Sequence, residues 1–293
     1  MGNCYLVRGP QVMKDFRNSF NTLAESVFGI NFENWYKAGF WTDKYEPFSF
    51  VEGNRVIANV SVNRVDLTID YEKVRGLQIG TVMTHQDYRN QGLSKQLMNL
   101  VLEAYEGQYD VMYLFANQTV LDFYPKFGFN RVEEIQFFLD DIPMKKKKAN
   151  VRKLDFSNQH DIQFLYQFAS KRLPVSSRFG TIHTAELIMF YALNVFSDHF
   201  YYLEEENTVV LFIQDKDQLE IYDVISPVNV NLERIMSHIC SPETKRVLFY
   251  FTPDTESLLI QSIPFKGDEV LFVKTAANFT WPQHVKHPIT SQA

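Results

Sequence analysis

The spacing of hydrophobic and polar residues changes between positions 77 and 105, and this change predicts a strand that leads into a helix. Residues 77–82 alternate with a period of two, as expected of a strand. From Leu93 to Tyr105, apolar side chains recur every four residues and form one stripe of a helix. The polar turn between them, RNQGLS at 89–94, opens that helix, so several of its backbone N–H groups lack a helical partner and attract phosphate. Gly92 has no Cβ and lets the backbone approach a ligand closely.

Similar patterns predict the elements that surround this strand and helix. Before it, they are a helix at 11–28, a hairpin of 48–51 and 55–62 that turns at Gly53 and Asn54, and a strand at 65–74 that pairs next. After it, they are a buried strand at 111–116, a short helix that ends at Gly128, and a last strand at 130–139.

Residues 30–50 are rich in aromatic side chains, and the acidic residues Glu33, Asp43 and Glu46 lie among them. Two interpretations are open. We favour a second helix that packs on the sheet and covers it. The other is a wall that receives an amine by cation–π contacts and ion pairing.

Two motifs in this order resemble those of a known family. Arg89, Gly92 and Ser94 follow the pattern Arg/Gln-x-x-Gly-x-Gly/Ala, with a small serine at the last position. Residues 117–129 follow with N-x-x-x-x-x-F-Y-x-K-x-G-F. Both are similar to the acetyl-CoA-binding motifs of the GNAT superfamily of acetyltransferases. The strong motifs cover only residues 77–129, and beyond them the match is one of pattern.

The resemblance implies roles for individual residues. Backbone groups of Val82, Met83 and Thr84 pair with the pantetheine chain, and Asn117 bonds the pantetheine arm. Arg89 opens the turn, and the N–H groups of Asn90, Gln91, Gly92, Leu93 and Ser94 hold the pyrophosphate. Tyr124 takes the family's general-acid position. A phenol with a pKa of ~10 suits this role, because it can donate a proton to a thiolate without being ionised itself at neutral pH. Lys126 is either near the 3′-phosphate or simply exposed.

No general base is evident from the sequence. The strand position at which some family members carry glutamate is Gln78 here, and an amide cannot take the proton. Glu33, Asp43, Glu46 or a chain of water molecules remain open as alternatives. The seven histidines are scattered without paired spacing, so we expect no metal.

The second half repeats the pattern without its chemistry. Residues 219–224 can be laid over residues 77–82, but the connection that follows contains no glycine and no Arg-x-x-Gly. We therefore expect an α+β protein with α/β/α layers: a GNAT fold with a mixed, mostly antiparallel sheet flanked by helices, followed by a degenerate GNAT-like domain. The predicted domains are 1–142 and 151–293. A linker at 143–150 contains four consecutive lysines.

Length, charge and composition exclude some classes of function. A chain of 293 residues fits two domains, and the net charge of −6 without a densely basic face argues against nucleic-acid binding. Two distant cysteines, Cys4 and Cys240, provide no disulfide framework. The N-terminus lacks the apolar core of a signal peptide, and no apolar run reaches the length of about 18 residues that spans a membrane. These features predict a cytoplasmic location and no membrane partner.

The resemblance implies an acetyl-CoA-dependent N-acetyltransferase that moves the acetyl group to a primary amine of a small molecule or peptide by direct attack in a ternary complex. The alternative is a non-catalytic acyl-CoA-binding sensor or interaction module, which the missing base favours. Residues 279–282 and the aromatic residues before Phe50 are candidates to frame an acceptor cleft. We expect the second half to shape that cleft or a homo-oligomer contact rather than to catalyse.

Overall fold

The computed structural model describes residues 4–140, 142, 150–255 and 257–293. Its helices are α1 (Pro10–Phe28), α2 (Glu33–Lys37), α3 (Leu93–Ala104), α4 (Gln159–Lys171), α5 (Ala185–Asn194) and α6 (Leu232–Ile239). Its strands are β1 (Cys4–Arg8), β2 (Tyr45–Glu52), β3 (Arg55–Arg64), β4 (Asp66–Ile69), β5 (Glu72–Val74), β6 (Gly76–Thr84), β7 (Val111–Asn117), β8 (Asn130–Val132), β9 (Ile135–Asp140), β10 (Val151–Lys153), β11 (Phe179–Ile182), β12 (Phe200–Leu203), β13 (Thr208–Asp215), β14 (Gln218–Ile225), β15 (Arg246–Phe249), β16 (Gln261–Pro264) and β17 (Glu269–Thr275).

The first sheet has the order β1-β2-β3-β6-β7-β17-β8 and is antiparallel except where β6 runs parallel to β7. Helix α3 connects these two parallel strands, and its apolar stripe, which includes Leu97 and Val101, packs on the sheet. The predicted strand, turn and helix are therefore present. The α+β class and the mixed, mostly antiparallel sheet flanked by helices are confirmed.

The two halves exchange strands, which the sequence did not indicate. Strand β17 comes from the second half and lies between β7 and β8 in the first sheet. Strand β9 lies in the second sheet between β15 and β16. The single last strand predicted at 130–139 is wrong, because it divides into β8 and β9 at Glu133 and Glu134. The predicted domain limits stay a prediction.

The second sheet has the order β10-β12-β13-β14-β15-β9-β16, and β14 runs parallel to β15 with α6 in the connection. Its core includes Ile235, Met236 and Phe249. The helix and strands predicted for this half between residues 200 and 251 are all present, with small shifts at their ends. Most of the predicted linker, including the lysine run, lies outside the described residues.

A third sheet joins the halves. Strands β4 and β5 form a hairpin, and β4 pairs with β11 of the second half. The one continuous strand predicted at 65–74 is therefore wrong. Asp70 and Tyr71 form the turn with φ values of 47° and 70°, and neither residue is a glycine, so the sequence carried no strong turn signal.

Residues 30–50 contain only the short helix α2 before β2 begins. Trp35 and Phe40 are buried among other aromatic rings, so packing accounts for most of this segment. No helix among the described residues is both long and apolar enough to cross a bilayer.

Candidate functional site

Strands β6 and β7 separate part of the way along their length. Their parallel pairing runs from Gly76 opposite Val111 to Ile79 opposite Leu114. Beyond that point both strands continue without pairing to each other, β6 to Thr84 and β7 to Asn117. The separation leaves an edge of β6 open between the strands, where an extended ligand can form backbone hydrogen bonds.

A bulge in β6 contributes to this opening. The register of β3 with β6 shifts between Asn59 and Ser61, and Thr81 has a φ of 49°. The fully buried Asn59 donates its amide to the carbonyl of Thr81 at 2.9 Å and to Ser61 Oγ at 2.9 Å. The polar side chain of Asn59 thus satisfies a carbonyl that the bulge removes from the strand ladder.

The turn before α3 is exposed and keeps its donors free. Gly92 adopts a left-handed conformation with a φ of 76° at the N-cap of α3, and no side chain of a described residue caps the helix. The helix's first internal bond runs from the N–H of Gln96 to the carbonyl of Gly92 at 3.0 Å. The N–H groups of residues 93–95 therefore lack a partner inside the helix, as expected of a first turn.

These elements surround one cavity of about 670 Å³. The predicted site residues that line it are Val82, Met83, Thr84, Arg89, Ser94, Asn117 and Tyr124. Asn90, Gln91 and Gly92 are exposed beside it, and the side chain of Leu93 packs into the core below. Thr84 and Ser94 share a hydrogen bond of 2.6 Å between their hydroxyls, which joins the end of β6 to the start of α3.

Tyr124 borders the cavity from the short helix Tyr124–Phe127. Its ring is 5% exposed and packs against Phe123 and Phe272. No hydrogen bond from another described residue reaches its hydroxyl. Burial raises the pKa of Tyr124 well above its usual range, and the nearby charge of Glu269 raises it further. The phenol is therefore protonated at neutral pH.

Asn117 ends β7 at the mouth of the opening. Its side-chain carbonyl accepts a hydrogen bond from the backbone N–H of Thr119 at 3.0 Å. This turn fixes the side chain and leaves its amide N–H groups available to a ligand. Lys126 is exposed and does not line the cavity.

The candidate bases from the sequence do not border the cavity. Glu33 pairs with Arg17 and Lys37, and Glu46 pairs with Arg8, all outside it. Asp43 is exposed elsewhere, and Gln78 is fully buried with neither polar atom of its side chain bonded to a described residue. Local sequence could not show this, because the sheet and its ion pairs direct these side chains away from the opening.

The second half supplies residues that the sequence analysis missed. Glu269, at the start of β17, is the one carboxylate side chain among the described residues that line the cavity. Tyr191 from α5 also lines it, as do Gln292 and Ala293. The apolar run after Glu269 is a recognisable strand signal, but nothing local indicates that it inserts beside β7.

The segment 285–293 passes between the halves and is mostly buried. His287 lies against Tyr113 with 3.2 Å between Nε2 and the hydroxyl, and Tyr191 donates to the carbonyl of Gln292 at 3.0 Å. A Cβ on Gly80 would lie only 2.7 Å from the backbone oxygen of Ala293, so this position of β6 has no room for a side chain.

The expected frame of the acceptor cleft is only partly correct. Phe32, Trp35 and Tyr45 do line the cavity. Trp281 instead packs in the core against Tyr113 and Phe179, so the prediction that residues 279–282 frame the cleft is wrong. Within the described part of the chain, no three His, Cys, Asp or Glu side chains lie close enough together to hold a metal ion.

Comparison with known proteins agrees with this geometry. Residues 11–132 match the family model described as "Acetyltransferase (GNAT) domain". This segment is similar to the GNAT acetyltransferases, and the resemblance that the two motifs indicated is confirmed. No curated protein matches the sequence significantly.

Solved structures share the fold across both halves at low sequence identity. A GCN5-related N-acetyltransferase from Kribbella flavida has a TM-score of 0.59 and 15% identity, with 93% of this chain and 71% of that chain covered. Eis1 from Mycobacterium abscessus has a TM-score of 0.60 and 10% identity, with 92% and 72% covered. A probable N-acyltransferase from Enterococcus faecalis gives 0.59 and 13%, with 93% and 72% covered.

Proposed function

We propose that this protein is an acetyl-CoA-dependent N-acetyltransferase that acts on a primary amine. One observation supports the proposal: a single cavity at the opening between β6 and β7 is lined by Arg89 and Ser94 of the turn before α3 and by Tyr124. These two places fit the diphosphate and the sulfur of a coenzyme A thioester, which lie at opposite ends of its pantetheine arm.

The first turn of α3 supplies the phosphate site. Its N–H groups and the positive end of the helix dipole attract an anion, and the side chain of Arg89 adds a full charge beside them. The open edge of β6 at residues 82–84 offers backbone donors and acceptors to the pantetheine chain, and Asn117 offers its amide. Together these groups hold the thioester still and orient its carbonyl carbon toward the acceptor side.

Tyr124 then serves the leaving group. The amine nitrogen attacks the thioester carbonyl carbon, the carbon–sulfur bond breaks, and the phenol donates its proton to the departing sulfur. The attacking nitrogen loses one proton, which passes through water to the tyrosinate, so the phenol is restored at the end of the turnover. The protonated state that burial imposes on Tyr124 fits this role.

Gly92→Asp tests the phosphate site, because it places bulk and negative charge where the diphosphate would bind. Gly107→Asp is a matched control, since Gly107 also has a left-handed φ, of 73°, with open space around it, but lies in the turn after the other end of α3. Calorimetry should show coenzyme A binding lost in Gly92→Asp and kept in Gly107→Asp. Equal affinity in both variants and the wild type would refute the site.

The second candidate is a non-catalytic acyl-CoA-binding module, and it is favoured by the position of Glu33, Asp43 and Glu46 outside the cavity. The two functions separate in one assay. Continuous release of free thiol from acetyl-CoA with a panel of amines supports the enzyme. Tight acetyl-CoA binding without release supports the binding module.

A further inference from the structure

We propose that Glu269 and an apolar wall from both halves form the acceptor subsite, and that they select an amine with one positive charge on an aromatic or otherwise apolar body. The proposal rests on the proposed function and specifies its substrate class. It depends on four features of the cavity: where its carboxylate lies, which side chains form its wall, which polar atoms of that wall are already hydrogen-bonded, and how its charges are distributed.

Glu269 lies on the side of the sheet away from α3. In β17, Val270 and Phe272 pack in the core with Tyr124, whereas Leu271 and Val273 pack in the core on the opposite face. Strand alternation places Glu269 on that opposite face with Leu271. Glu269 stands opposite Asn117 in the register of β17 with β7. The carboxylate therefore borders the opening across the sheet from the phosphate turn.

The carboxylate has no partner of its own within the described structure. None of the described residues forms an ion pair or a hydrogen bond with Glu269, although it remains exposed to the cavity. The surrounding protein still raises the pKa of its carboxyl, first through partial burial and then through the charges of Asp268 and Glu134. An ammonium group placed beside it would relieve this unfavourable environment.

The wall facing Glu269 is aromatic and comes from both halves. Phe190 of α5 contacts Phe32, with 5.4 Å between ring centroids, and Trp35, with 6.0 Å between ring centroids. Leu187 and Tyr191, also from α5, complete it. A cavity lined in this way favours an apolar body, which leaves water when it binds.

The polar atoms of this wall are already engaged. The indole N–H of Trp35 donates to the carbonyl of Glu186 at 2.7 Å. The hydroxyl of Tyr191 donates to the carbonyl of Gln292 at 3.0 Å, and the hydroxyl of Tyr45 bonds Thr81. The wall thus offers few hydrogen bonds to a hydroxylated acceptor, whose own polar groups would lose water without replacement.

The side-chain charges that line the cavity favour an acceptor with a single positive charge. Glu269 is the one acidic side chain among the described lining residues, and Arg89 lies in the same cavity. A polyamine would bring additional ammonium groups, and no second acidic side chain among the described lining residues balances them. These groups would pay a desolvation penalty on entering.

The experiment compares three amines with acetyl-CoA: phenethylamine, ethanolamine and spermidine. We expect kcat/KM for phenethylamine to exceed both others by at least about tenfold, because only its ring is buried. Glu269→Gln should raise KM for phenethylamine about tenfold while kcat and acetyl-CoA affinity change little. Glu243→Gln, which removes an exposed carboxylate that does not line the cavity, should change neither constant. Phe190→Ala should reduce the preference for phenethylamine over ethanolamine about tenfold.

Calorimetric binding of phenethylamine to the protein–coenzyme A complex provides a readout without turnover, and thermal unfolding shows that each variant is folded. If phenethylamine binds in a manner that depends on Glu269 and no amine releases thiol, the subsite stands and the proposed reaction fails. If ethanolamine or spermidine reacts as well as phenethylamine, or KM is the same in Glu269→Gln, the reaction stands and the subsite is overturned.

Discussion

The two halves of the molecule contain the same strand–helix–strand unit in two different states. In the first half β6 pairs with β7 over four positions, and in the second half β14 pairs with β15 over four positions, from Gln218 opposite Arg246 to Ile221 opposite Phe249. Each pair is parallel, each is connected through a helix, and in each the first strand continues beyond the pairing. The shared register confirms that residues 219–224 overlay 77–82.

The helix that follows the first strand begins differently in the two units. Helix α3 starts after Gly92 without a side-chain cap. Helix α6 starts after Asn231, whose side chain accepts a hydrogen bond from the N–H of Arg234 at 3.0 Å. In the second unit, an asparagine side chain therefore accepts from an N–H group of the helix's first turn. In the first unit, the corresponding N–H groups stay available to a ligand.

The opening beyond the paired strands differs as well. Asp223 holds the register position of Thr81, and its carboxylate binds the Arg172 guanidinium through two contacts of 2.7 Å while accepting from Thr290. At the position of Gly80, Tyr222 stacks on Tyr250. The second unit fills with its own side chains the space that the first keeps as a cavity. We infer from this difference that a binding site in this fold consists of backbone donors and strand edges that have no hydrogen-bond partner in the protein.

The largest effect should come from breaking the ion pair that fills the second unit. Arg172→Met leaves Asp223 fully buried without its counter-charge, which should lower the free energy of unfolding by about 3 to 5 kcal/mol in urea titrations. The exposed Arg246, which also contacts Asp140 through two bonds, is the control. Arg246→Gln should cost at most about 1 kcal/mol. Similar losses in both variants would show that Asp223 does not depend on Arg172.

The next effect concerns the cavity of the first unit. Tyr124→Phe removes the proposed proton donor and should lower kcat about 100-fold, or roughly 2.7 kcal/mol of transition-state stabilisation, with acetyl-CoA affinity retained. Because burial raises the pKa of Tyr124, the phenol stays protonated as pH rises from 7 to 9. The wild-type rate should therefore show no loss from phenol ionisation in this range.

Tyr109→Phe is the control for this experiment, because Tyr109 lies after α3 and outside the cavity. Thiol release measured against pH for both variants and the wild type decides the matter. An unchanged kcat in Tyr124→Phe would remove the tyrosine from the mechanism.

The sequence predicted the parts of this site that depend on local signals. The turn at 89–94 and the position of Tyr124 follow from residues close together in the chain, and the structure brings both to one cavity. Glu269 could not be predicted in this way, because its place beside Asn117 depends on pairing between strands distant in sequence. Which strand inserts beside β7 is decided by the packing of two halves, and no local period encodes it.

The same reasoning explains the errors in the strand predictions. Apolar alternation correctly indicated extended chain at 130–139 and 65–74, but alternation does not specify which sheet a strand joins. Glu134 shows the physical cause at one break. It is buried with its carboxylate 3.2 Å from Lys286 and accepts from the N–H of His287 at 3.0 Å, so the chain leaves the first sheet there to meet the segment 285–293.

That segment links the filled unit to the open one, and acid should weaken it. Burial, and then the charge of Lys286, lower the pKa of His287 from its ordinary 6.5 to about 3. Between these two values the unfolded chain binds a proton that the folded protein excludes. The stabilisation is thus complete above pH 6.5 and falls by about 1.4 kcal/mol for each pH unit below it.

Urea unfolding at pH 7.0, and again one pH unit below the ordinary histidine pKa of 6.5, measures this loss of stability. His287→Gln should lower the free energy of unfolding at pH 7.0, because the hydrogen bond to Tyr113 is lost. It should also make that free energy fall less steeply as the pH is lowered. His160→Gln is the control, since that side chain is 80% exposed. An acid slope that persists unchanged in His287→Gln would assign it to other groups.

The smallest expected effect tests directly whether the N-termini of α3 and α6 have different roles. Asn231→Ala removes the cap of α6 and should lower the free energy of unfolding by about 1 kcal/mol, because one N–H of the first turn loses its side-chain acceptor. Coenzyme A affinity should be unchanged, since that donor serves only the fold. Gly92→Asp should instead abolish coenzyme A binding, with a loss of stability no larger than that of Gly107→Asp, whose backbone is equally left-handed. A loss of coenzyme A affinity in Asn231→Ala would mean that the second unit also takes part in binding, and the distinction between an open and a filled unit would fail.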